Sequence, residues 1–264
     1  MANWVESILE HKPEASRLPV AARDRYGLHF KRGGRHRLGL VSGAPVHYFD
    51  AAQRAWLAID TRLQARGDGS YGAPGLPFSL GLDGDVKVDG DLHRHKAWRV
   101  GVVAGGGFAE LGRLGEAVVA DDRIVRESGS LRHEIILLPG GLREQLTLQE
   151  EPRLDAKEGL FVIESLLPSD SFSAGWVGEM QRGSLRFPAG SAIDAAGRRI
   201  PLMRWVSEEE KPARLYSGVP AQWLANAAYP VVIDPDIDIT GETADTTLEG
   251  SSAATSTTYD TAGA

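Results

Sequence analysis

The 264-residue chain contains no cysteine, which removes disulfides, thiolate metal sites and a thiol nucleophile together. It also lacks long apolar runs: no segment approaches the ~20 apolar residues that a bilayer-spanning helix needs. The amino terminus, Met1 to Glu10, has no basic region leading into an apolar stretch, so no secretory signal is expected. Positive charge is missing from one end. From Leu215 onward there are seven carboxylates (Asp234, Asp236, Asp238, Glu242, Asp245, Glu249, Asp260) and no Lys or Arg. Subtracting those seven from 36 Asp plus Glu leaves 29 in residues 1–214, against 29 Lys plus Arg, so that body is charge-balanced. A nucleic-acid binder needs a basic face, which this distribution does not supply.

What is plentiful is punctuation. With 31 Gly and 14 Pro, the chain suits many short strands joined by turns better than long helices. Residues 3–10 are the exception: Asn3 as cap and an apolar face of Trp4, Val5, Ile8 and Leu9 predict a short amphipathic helix. From Tyr26 the alternation becomes strand-like. Leu28 and Phe30 flank His29, Gly33-Gly34 turns the chain, and Leu38 and Leu40 return. Val46–Phe49 and Trp56–Asp60 flank a turn at Asp50–Gln53. Val86-Lys87-Val88 lies between Asp83-Gly84 and Asp89-Gly90. Val100–Ala104 ends in three glycines. His133–Leu138 and Leu142–Gln149 read as a hairpin around Pro139-Gly140-Gly141, with Leu146 and Leu148 on one face. Leu160–Leu167 reads as an apolar strand. Pro220–Ala227 reads as a short helix turning Trp223 and Leu224 inward, before the strand around Val231–Ile233.

The expected fold is all-β: a jelly-roll-like β-sandwich module in two halves that meet near residues 105–130, with a single larger sandwich as the alternative, a short N-terminal helix and the start of a C-terminal β extension. The expected divisions are an N-terminal helix and anchoring arm at 1–25, a first β-rich half at 26–115, a second at 116–235, and a Thr/Ser/Ala-rich acidic segment at 236–264. That last segment is a linker or the start of a further β domain.

Three spaced segments resemble one β-rich module. Val46-His47-Tyr48 with Trp56–Thr61 is similar to its "HY…W-x-x-IDT" segment. Gly140–Leu148 is similar to its "DG-x-KE-x-IVL" hairpin. Trp223-Leu224 with Tyr229–Pro235 is similar to its closing "WL…YPVVIDP". The module occurs in minor structural and fibre-like proteins of tailed phages, and in the N-terminal regions of large secreted Rhs/YD-repeat proteins. This chain departs from it in the turn at Asp50–Gln53, which lacks the usual Gly, and at Pro139-Gly140, which replaces Asp-Gly. The resemblance implies a non-enzymatic virion component, assembled in the host cytoplasm, of fibre, spike or decoration type. Its implied partners are other virion proteins of head or tail, further copies of itself (a trimer is one such form) and a host-surface glycan, with no nucleic acid and no membrane insertion. Two alternatives stand beside it: an Rhs/YD-repeat surface or toxin module, and a carbohydrate-binding or carbohydrate-active protein. The missing signal favours the virion.

No residue is assigned a catalytic, cofactor or metal role. His93 and His95 offer two ligands, which is too few for a zinc site. Asp234–Asp238 superficially matches a calcium loop, but Ile239 stands where the loop needs Gly and Asp245 where it needs Glu. Gly105–Gly107 fits no phosphate-loop spacing. Ser128, Ser130, His133 and Glu134 lack a G-x-S-x-G elbow. Lys31–Arg37 is a basic hairpin tip suited to an acidic partner surface. Trp56, Trp98, Trp176, Trp205 and Trp223 are expected in the core rather than on a sugar-binding surface.

Overall fold

The computed structural model describes residues 19–31, 37–41, 45–76, 78–82, 85–88, 91–94, 96–105, 107–138, 141–154, 158–166, 175–177, 179–182, 185–207, 213–234 and 237–239. They form 26 strands and one single-turn helix, so the protein is nearly all β. The chain separates into two compact units. One holds the described residues up to Asp60 together with Pro74–Leu76; the other runs from Thr61 onward apart from that short segment. The expected helix at 3–10, the basic tip at 32–36 and the segment from 240 lie outside the described residues.

In the first unit, β1 (Val20–Arg23), β2 (Gly27–Lys31) and β3 (Arg37–Val41) make a three-stranded sheet, and β4 (His47–Asp50) pairs with β5 (Ala55–Ala58). Residues 20–23, assigned from sequence to an anchoring arm, are instead an edge strand, with Val20 opposite Phe30. Leu28 and Phe30 are buried while His29 between them is half-exposed, the expected two-residue period. The β4–β5 turn works without glycine. Asp50 Oδ1 accepts the amide N–H groups of Ala52 (2.8 Å) and Gln53 (2.9 Å), a side-chain substitute for a backbone turn bond.

The second unit begins with β6 (Gln64–Ala65), β7 (Tyr71–Gly72), β8 (Phe78–Leu80), β9 (Asp85–Val88) and β10 (Asp91–Arg94), which form a five-stranded sheet in reverse order. Then come β11 (Lys96–Ala104), β12 (Gly107–Arg113), β13 (Ala117–Ala120), β14 (Arg123–Ser128), β15 (Leu131–Leu138), β16 (Gly141–Leu148) and β17 (Leu160–Leu166). They are followed by β18 (Gly175–Val177), β19 (Met180–Arg182), β20 (Leu185–Phe187), β21 (Ser191–Asp194), β22 (Arg199–Pro201), β23 (Met203–Ser207) and β24 (Arg214–Pro220). Helix α1 (Ala221–Leu224) then leads to β25 (Val231–Asp234) and β26 (Ile237–Ile239).

Two sheets dominate this unit. One has six strands in the order β12-β11-β17-β24-β23-β18; the other has ten, with a path β13-β14-β15-β16-β25-β21-β22. They share one apolar core. Val100, Phe161, Ile163 and Val219 from the first meet Leu146, Leu148, Ala192, Val231 and Ile233 from the second, with Leu224 of α1, each at most 1% exposed. Burial on this scale is the main force stacking the sheets. β25 lies inside the larger sheet, with Leu146↔Ile233 and Leu148↔Val231 on one side and Ala192↔Ile233 on the other. Pro230 precedes the strand, where a missing N–H costs no ladder bond.

The boundary expected near 105–130 runs through a sheet instead of between halves. β11 pairs with β17 from Lys96↔Leu166 to Val103↔Leu160. The glycines at 105 and 107 only close the β11–β12 hairpin, with Gly105 at φ +58°, a left-handed conformation suited to glycine.

Candidate functional site

The outer face of the six-stranded sheet carries a recess. Strand alternation builds it. On β23, Arg204 and Val206 are buried, which turns Met203, Trp205 and Ser207 to the opposite face. This reverses the expectation for Trp205: the tryptophan faces outward and the arginine faces inward. Buried Arg204 is held by the carbonyl oxygens of Phe187 (3.3 Å) and Pro188, which accept from Nη1.

Register then lines up a row across the sheet. Arg99 on β11 opposes Glu164 on β17, Glu164 opposes Tyr216 on β24, and Tyr216 opposes Trp205 on β23. The neighbouring row is small: Gly101, Val162, Gly218, then Met203. An added Cβ at Gly101 would sit 2.5 Å from the Phe108 ring, which lies over it. A large row beside a small one leaves a trough of about 960 Å³, walled by Phe108, Glu110, Met203, Trp205 and Tyr216. That is within the size range of small-molecule sites.

Its floor is a charged network. The Glu164 carboxylate is fully buried. It accepts from Arg99 Nε, from Arg99 Nη2 at 2.9 Å and from the Tyr216 hydroxyl at 3.1 Å, and forms an ion pair with Arg214 at 3.2 Å. Arg99 Nη1 also donates to Glu110 at 2.9 Å. The Arg99 guanidinium lies 4.5 Å from the centre of the Phe108 ring, and that ring is 5.6 Å from Tyr216. Its bonds to Glu164, then to Glu110, hold Arg99 more firmly protonated than usual. Arg113 and Arg99 draw the Glu110 carboxyl below its ordinary range. The result is a polar, hydrogen-bonded floor between aromatic walls.

The residues weighed from sequence fall elsewhere. His133 Nε2 donates to Glu144 at 2.8 Å inside the larger sheet, and both are buried; its partner is a carboxylate on β16 rather than Ser128 or Ser130. Glu134 points away, accepting from Arg123 (3.1 Å) and Arg132 (3.2 Å). His93 is in β10, and His95 lies outside the described residues. Asp234 ends β25, while Pro235 and Asp236 are also outside. Among the described residues no three His, Asp or Glu side chains gather as a metal site. Trp223 is half-buried and packs against the main core, as expected; Trp56 is half-buried and meets Phe49 edge-on at 5.5 Å. The side chains of Trp98 and Trp176 lie outside the description.

Sequence reasoning missed Glu164 and Arg99. The available signal was a lone Glu in an otherwise apolar strand, which when buried requires cationic partners. Asp194 was missed too. It accepts the amides of Ala196 (3.0 Å), Arg198 (2.8 Å) and Ala228 (3.1 Å), and pairs with the Arg198 side chain at 2.6 Å. It thereby pins the approach to β25.

Comparison with protein-family models, with curated proteins and with solved structures gives no match.

Proposed function

We propose that this chain is a non-enzymatic structural protein of a bacteriophage particle, a fibre-, spike- or decoration-type component built on a jelly-roll-like β-sandwich. The observation carrying this reading is where the resembling segments sit. Gly141–Leu148 and Val231–Asp234 are hydrogen-bonded neighbours, and Leu146, Leu148, Val231 and Ile233 fill the core. A motif made of core side chains and strand register records an architecture, so likeness in it supports a shared module more than a shared reaction. The third segment forms the β4–β5 hairpin of the other unit. The conspicuous buried ionisable groups serve the scaffold: His133 with Glu144, Glu164 with Arg99, Asp194 with loop amides.

In this reading the chain docks on other virion proteins and repeats by the symmetry of a homo-oligomer. Peptide mapping of purified particles tests it. The expected result is this chain at constant stoichiometry with other particle proteins. Its presence in the lysate but absence from washed particles would end the reading and return the Rhs/YD-repeat alternative.

A further inference from the structure

We propose that the trough on the outer face of the six-stranded sheet binds a neutral oligosaccharide. The inference deepens the attachment reading and rests on it for its biological setting, while its geometry stands apart from it. A sugar ring presents an apolar C–H face and a rim of hydroxyls. It is recognised by flat aromatic surfaces beside fixed hydrogen-bonding groups, and this trough supplies both. Trp205, Tyr216 and Phe108 are half-exposed walls, amphipathic or flat surfaces that lose little freedom on contact. Between them lie the Tyr216 hydroxyl, the Arg99 guanidinium, the Glu110 carboxylate and Ser207.

The floor is preorganised. Arg99 is held at once by Glu164, by Glu110 and by the face of Phe108, so little ordering cost falls on binding. The row from Arg99 to Trp205 crosses three strand spacings of ~4.8 Å, about 14 Å in all. That length suits a short chain of sugars better than a single ring.

The charge of the lining selects the class. Arg99 and Arg113 face Glu110 and Glu158 across the lining and its rim, and both guanidiniums are engaged, Arg113 by Glu110 and Arg99 by Glu110 and Glu164. A sialylated or sulfated glycan would bring its anion to a surface whose described carboxylates balance these guanidiniums, so no net positive charge draws it. A peptide added as an extra strand would use a sheet edge; this recess lies on a sheet face, where backbone groups are already paired.

The test uses the full chain on an array of neutral hexasaccharides (glucose, galactose, mannose and N-acetylglucosamine polymers) beside sialylated and sulfated glycans, with calorimetry on those retained. Binding of at least one neutral chain, and weaker or no binding of the acidic ones, is expected. Trp205→Ala should weaken affinity at least tenfold. Met203→Arg should do the same by filling the trough; Met203 is 38% exposed, so this variant folds and decides the matter if Trp205→Ala does not. No retention of any neutral chain, preference for acidic glycans, or unchanged affinity in the Met203→Arg variant would each overturn the proposal. None of these results bears on whether the chain is in the particle, so the two readings fail separately.

Discussion

Replacing Glu164 by glutamine puts the charged network under the trough to a quantitative test. The carboxylate is 0% exposed, and its partners Arg99 and Arg214 are only 17% and 14% exposed, so solvent screens the network little. Glutamine keeps the shape and one acceptor oxygen but turns an NH2 toward a guanidinium. Breaking a buried ion pair by removing one partner costs about 3–5 kcal/mol. Arg99 retains Glu110 at 2.9 Å, which places the expected loss near the low end, about 3 kcal/mol. For a chain of this size that corresponds to a fall in Tm of about 6–12 °C. Urea and thermal unfolding followed by circular dichroism measure it directly. A double-mutant cycle with Arg99→Met isolates the pair, with a coupling of at least about 1 kcal/mol expected. A loss under about 1 kcal/mol, the size of a solvent-exposed pair, would refute the claim that this carboxylate is structurally committed.

Asp194→Ala should lower Tm and speed amide exchange at Ala196, Arg198 and Ala228, the N–H groups it accepts; unchanged protection at all three would contradict its role as a clamp. Burial pushes the His47 imidazole below its ordinary 6.5, and its bond to the Asp24 carbonyl only partly offsets this. The unfolded chain therefore takes up that proton first, and the first unit should lose stability as pH falls below about 6.5. Burial also works against the Asp24 carboxyl, but the His29 and Tyr26 hydrogen bonds outweigh it and hold its pKa below 3.8, so a second loss begins only under that value. Titrating both groups by NMR while following unfolding would separate the two windows, and a His47 pKa above 6.5 would reverse the first prediction. Burial, with the Glu151 charge, lifts the Tyr229 phenol to about 12, so its contribution is present below pH 10 and declines as pH rises above it. Ultraviolet titration should find a late tyrosine component that is lost in Tyr229→Phe.

Much of the scaffold is legible in the residues because local signals and burial agree. The alternation at Leu146 and Leu148, the apolar run at Val231–Ile233 and the turn chemistry at Asp50 each lead to the observed element. Leu224 is buried in α1 as its place in the short helical segment implies. What resists reading is long-range pairing. Nothing local joins Lys96–Val103 to Leu160–Leu166, and the expected boundary near 105–130 assumed that neighbours in sequence share a sheet. The trough was hidden for the same reason, since its lining residues come from five strands spread between Arg99 and Tyr216. A residue-type prior also misled at β23: a Trp beside an Arg is read as core, yet the two-residue period and the carbonyl oxygens of Phe187 and Pro188 turn the Arg inward.

The central claim is that two of the segments carrying the resemblance, Gly141–Leu148 and Val231–Asp234, form the core of the larger unit. Hydrogen–deuterium exchange on the full chain tests it most directly. The amides of Leu146–Leu148 and Val231–Ile233, which lie in adjoining interior strands, should be among the slowest to exchange, opening only with global unfolding. Exchange there as fast as at the exposed edge strand Ala117–Ala120 would contradict it.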